Sequence, residues 1–64
     1  MYETQFISKY DKNGKTFVLW RKGSYSYELS SNIQPFQVVL KFNNTSLGDV
    51  HNYLEESGYE KVIF

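Results

Sequence analysis

Two turn signals set close together decide what this chain can become. Asp11-Lys12-Asn13-Gly14-Lys15 and Lys22-Gly23 bracket Thr16-Phe17-Val18-Leu19-Trp20-Arg21, a β-branched and aromatic run that suits a pleated surface. A strand held between two tight turns pairs on both sides, so the centre of the fold is predicted to be an antiparallel meander. Its first strand is expected over Tyr2 to Tyr10, where Tyr2, Thr4, Phe6, Ser8 and Tyr10 alternate with Glu3, Gln5, Ile7 and Lys9.

Turn chemistry then sets an expected register. With Gly14 in the left-handed position of a three-residue loop, Asp11 faces Lys15, Tyr10 faces Thr16, Ser8 faces Val18 and Phe6 faces Trp20. With Lys22-Gly23 as a two-residue loop, Trp20 faces Tyr25 and Val18 faces Tyr27. Both turns then put Tyr2, Phe6, Tyr10, Val18, Trp20, Tyr25, Tyr27 and Leu29 on one uncharged face, the predicted core. A slip of one residue would move a whole strand to the other side.

After the loop Ser30-Ser31-Asn32-Ile33-Gln34-Pro35, a fourth strand is predicted over Phe36 to Phe42, with Phe36, Val38, Leu40 and Phe42 facing in. Asn43-Asn44 breaks it. Thr45 or Ser46 then caps a helix, Ser46 with Asp49 three residues on resembling a capping box, and Leu47, Val50, Tyr53 and Leu54 form an apolar stripe at helical spacing, which predicts a helix over 46–57. Gly58 is placed to close it, with Tyr59 folding back over the last turn. Glu60 to Phe64 reads as a short fifth strand. The expected class is α+β, a single domain over 1–64 with an antiparallel sheet and one helix.

Size limits what such a chain can do. At 64 residues it buries only about 60% of the surface its unfolded form exposes. It has no cysteine for a disulfide or a thiolate metal site, so its 19% of aromatic residues must supply the core. The lone histidine, His51, could be paired with Glu55 or Asp49, but no second histidine or framed nucleophile accompanies it. No catalytic residue, metal or cofactor is expected.

Charge separates the remaining classes. Seven basic and seven acidic residues give zero net charge, against the basic excess usual in nucleic-acid binders. The distribution is uneven: residues 1–27 carry five cations and two acids, a net +3, and residues 28–64 carry a net −3. No apolar run reaches the roughly 18 residues of a membrane span, and the N-terminus lacks a secretory signal, so a soluble cytoplasmic protein is expected. Alanine is absent while Asn, Lys, Tyr and Phe are plentiful, the usage of AT-rich coding sequence and of phage or mobile-element cargo.

Opposite the predicted core lie Ile7, Phe17 and Leu19, bordered by Lys9 and Arg21. One helix cannot cover both faces of a sheet. Either it lies over Ile7, Phe17 and Leu19 and leaves the aromatic face open, or those three meet another chain. The leading expectation is a non-enzymatic protein–protein interaction module, a homodimer that also inhibits a second protein, with Ile7, Lys9, Phe17, Leu19 and Arg21 as its interface. The alternative is a nucleic-acid binder using the basic, aromatic hairpin 9–27, where Lys9, Lys12, Lys15, Arg21 and Lys22 interleave with Tyr10, Phe17 and Trp20.

Overall fold

A computed structural model describes residues 4–62. Five strands, β1 (Gln5–Lys12), β2 (Lys15–Gly23), β3 (Ser26–Ser31), β4 (Val38–Asn43) and β5 (Glu60–Val62), form one antiparallel sheet in the order β4-β3-β2-β1-β5. A single helix, α1 (Leu47–Glu56), joins the two edge strands and lies across one face. The expected α+β meander with one helix is the observed fold. Tyr2 in the predicted core and Ile63-Phe64 in the predicted fifth strand fall outside the described residues.

Both ends of the helix are built from the residues that signalled them. The Ser46 side chain accepts a hydrogen bond from the Asp49 backbone N–H at 3.3 Å, the capping interaction that satisfies an otherwise orphaned donor. At the other end Gly58 adopts φ +94°, its N–H bonds to the Glu55 carbonyl at 3.1 Å, and the Tyr59 N–H bonds to Leu54 at 2.9 Å. That pair of bonds is a Schellman closure, and it turns Tyr59 back toward the core, where its ring meets Phe17 edge-on at 5.4 Å.

The two hairpins correct the expected register. Asn13 (φ 54°) and Gly14 (φ 77°) are both left-handed, so the first loop has two residues, with Lys12 opposite Lys15 and Tyr10 opposite Phe17. This doubly left-handed turn matches the twist of paired strands better than the longer loop. A bulge at Ile7 then restores the anticipated pairing of Phe6 with Trp20, which leaves Phe6 and Tyr10 on opposite faces. In the second hairpin β2 continues to Gly23, and Ser24-Tyr25 forms the loop. Trp20 therefore faces Glu28, not Tyr25, while Leu19 faces Leu29 and Arg21 faces Tyr27.

The core that results mixes the two predicted faces. Tyr10, Leu19, Tyr27, Leu29, Val50 and Leu54 are buried together beneath α1, with Ile7, Phe17, Leu40, Phe42, Leu47 and Tyr59 packed around them. Phe6, Val18 and Trp20 lie on the far side. In β4 an irregularity at Val39 divides what was expected to face inward: Leu40 and Phe42 oppose Leu29 and Tyr27, whereas Val38 opposes Ser30 on the other face. Phe36 precedes the strand, after a cis Gln34–Pro35 bond.

Candidate functional site

One face of the sheet carries the helix; the other carries a groove. β2 supplies Val18, Trp20 and Lys22 to this open face, β1 supplies Phe6, Lys9 and Asp11, β3 supplies Glu28 and Ser30, and β4 supplies Val38 and Lys41, all by strand alternation from the observed pairs. Trp20 stands at the centre. Phe6 meets its ring edge-on at 6.2 Å from one side and Phe36 at 6.1 Å from the other, the T-shaped geometry favoured by ring quadrupoles. The indole Nε1–H donates to the Ser30 hydroxyl at 2.7 Å, and that hydroxyl donates to the Ser31 carbonyl at 3.3 Å. The ring is thus anchored by its polar edge while its apolar surface lines the groove.

The groove holds about 330 Å³ between Trp20, Phe36, Val38, Lys22, Glu28, Ser30 and Thr4. Lys22 reaches across its end to donate to the Thr4 hydroxyl at 3.0 Å. Phe6 is 51% exposed, Phe36 48% and Val38 45%. Apolar groups left this open each forgo about 1 kcal/mol, roughly half of what full burial would contribute. A second depression of about 440 Å³ lies between the Asn13-Gly14 turn and the segment Ser31-Asn32-Ile33.

The predicted interface residues do not form one surface. Leu19 is fully buried, Ile7 and Phe17 pack against the same core, and α1 covers all three. This is the first of the two arrangements foreseen for the helix, and it removes Leu19 from any outer contact. Arg21 shares their side, its guanidinium 6.0 Å from the Tyr27 ring centre and its Nε donating to the Gly23 carbonyl at 3.3 Å. Only Lys9 lies on the open face, beside Val18. The groove residues Trp20, Phe36 and Val38 belong to the face the sequence assigns to the core, and they line the open side because the helix takes the face of Ile7, Phe17 and Leu19.

His51 sits away from the groove. Its Nδ1 accepts a hydrogen bond from the buried Tyr10 hydroxyl, tying α1 to the middle of the sheet. Burial lowers the imidazole's affinity for a proton, with Lys61 acting the same way and Glu55 opposing. Burial likewise pushes the Tyr10 hydroxyl up, with Ser8 opposing and Glu55 adding to the effect. The pair joins helix to sheet through the neutral form of both groups. Among the described residues no cluster of three or more His, Asp or Glu could hold a metal ion, and no helix is long and apolar enough to cross a membrane.

No family model, no curated protein and no solved structure matches the chain.

Proposed function

We propose that this chain is a small non-enzymatic protein–protein interaction module whose contact surface is the sheet face turned away from α1. One observation carries the reading: an anchored tryptophan flanked by two half-exposed phenylalanines and a half-exposed valine lines an open groove on that face. Such a constellation has the composition of an interface centre, where aromatic anchors supply most of the affinity. The groove offers Lys22 and Glu28 at its margin but no histidine or paired carboxylate, which favours contact over chemistry. Occupying a surface is also how a chain of this size would inhibit a larger protein.

A photo-reactive phenylalanine analogue tests this when placed at Phe36, on the open face, or at Tyr53, on α1. In cells making the protein, position 36 is expected to cross-link to protein and position 53 is not. Adducts from position 53 alone, or from neither, would overturn the assignment.

A second reading, single-stranded nucleic-acid binding, draws on Phe6, Trp20 and Phe36 sharing a face with Lys9, Lys22 and Lys41. Asp11, Glu28 and Glu60 share that face too and cancel its charge. Lys12 and Arg21 sit on the helix side, over the Tyr59 and Tyr27 rings, so the cations of the hairpin do not make a continuous track for phosphates. No salt-sensitive retention on a DNA column is expected; retention lost steeply with salt would favour this second reading.

A further inference from the structure

We propose that the partner of the open face is a second copy of the chain, packed face to face about a two-fold axis that passes close to Val18 and Trp20. The proposal rests on the reading of that face as a contact surface and names its occupant. The argument is the placement of charge. Lys22 lies at the end of the face next to the β2–β3 turn, and Lys41 flanks Glu28 in the same cross-strand row as Trp20. Asp11 and Glu60 oppose each other at the far end, next to the Asn13-Gly14 turn. Between the two ends run Phe6, Trp20, Val18 and Val38.

A face patterned in this way complements itself. In an isologous contact the surface on one side of the axis meets the surface on the other side, so the lysine end of each copy comes over the acidic end of its mate. Lys22 then faces Glu60 of the second copy and Lys41 approaches Asp11, while the apolar stripe is covered by its own repeat. Each charge pair occurs twice. The contact also draws a cation toward Asp11 and Glu60, a like-charged cross-strand pair that is unfavourable within one copy. A face of one sign would repel its copy; this one, with three lysines and three acids, does not.

The size of the face sets the strength. Five strands about 4.8 Å apart and about six residues at 3.3 Å make a face on the order of 500 Å² per copy. That falls at the small end for specific interfaces, so the dimer is an exchanging one.

Sedimentation of the full chain from about 1 µM to about 1 mM, the range of weak association, provides the test. The wild type is expected to dimerise reversibly. Lys22→Glu and Glu60→Lys are each expected to weaken the dimer by about tenfold, since each reverses two symmetric pairs, and the double variant to recover it. Both positions are exposed, and circular dichroism confirms that each variant is folded. A strict monomer throughout, or a dimer indifferent to both reversals, overturns the proposal. A monomer that still cross-links from position 36 to other proteins overturns self-association alone; a monomer with no such adducts overturns the contact-face reading as well.

Discussion

The two faces of the sheet are built from the same strands and the same kinds of residue, yet they end in opposite states. Under α1, Tyr10, Leu19 and Leu29 are fully buried, and Phe42 and Phe17 are each backed by a tyrosine edge at about 5.5 Å. On the open side, among the described residues, only Val18 and Ser30 are buried, while Phe6, Phe36 and Val38 are half-exposed around Trp20. The difference shows that aromatic content alone does not identify a core. The helix selects one face, and what remains apolar on the other is available for contact.

Substitutions sharpen that contrast, and the largest effect is expected on the covered side. Leu19→Ala should cost about 3 kcal/mol in urea unfolding, enough to leave so small a domain largely unfolded, because a filled site becomes a cavity. Phe36→Ala should cost less than about 1.5 kcal/mol by the same measurement and should abolish dimerisation. Equal costs at the two sites would break the distinction between core and contact surface.

An intermediate effect is expected where the helix is closed. Gly58→Ala should destabilise by about 1 kcal/mol through the left-handed backbone alone. The added Cβ meets nothing nearer than the Lys12 side chain at 3.7 Å, an ordinary contact.

A smaller, pH-dependent effect is expected at the seam between helix and sheet. Because the folded His51 binds a proton less readily than the unfolded one, its contribution to stability is present above about pH 6.5 and is lost as pH falls below it. The Tyr10 hydroxyl has the opposite dependence: raised in the fold, it supports stability below about pH 10 and loses that support as pH rises further. Urea midpoints should therefore fall between pH 7.5 and 5. His51→Gln should flatten that fall, and an unchanged slope would separate the pair from the stability of the seam.

The elements were legible in the sequence; the faces were legible only in part, with Phe6, Val18 and Trp20 separated from Ile7, Phe17 and Leu19 as expected. The helix announced itself through Ser46, Asp49, Gly58 and a 3.6-residue stripe; Ser46, Gly58 and the stripe serve as expected, while Asp49 contributes its backbone N–H to the cap. The strands followed from turn residues and alternation. Facing failed because it depends on single residues: a first loop one residue shorter than expected, and irregularities at Ile7, between Arg21 and Gly23, and at Val39. Each shifts a side-chain set by one position, which is enough to exchange Tyr10 with Phe6 or Val38 with Leu40. Gly23 is a residue that can mark the second of these irregularities, whereas Ile7 and Val39 carry no such signal. The open face itself was one of the two foreseen outcomes, with Phe6, Val18 and Trp20 together on it; the groove was missed because the alternation that counted Trp20 and Val38 as core said nothing of how exposed they would be.

Oxidative footprinting tests the central claim most directly, with the protein labelled by hydroxyl radicals once in dilute purified form and once inside cells. Trp20, Phe6 and Phe36 are expected to label readily in dilute solution and to be protected in cells, while Tyr25 and Tyr53 label equally in both. Unchanged labelling of Trp20 and Phe36 in cells, or protection confined to Tyr53, would contradict the assignment of the open face as the surface that meets a partner.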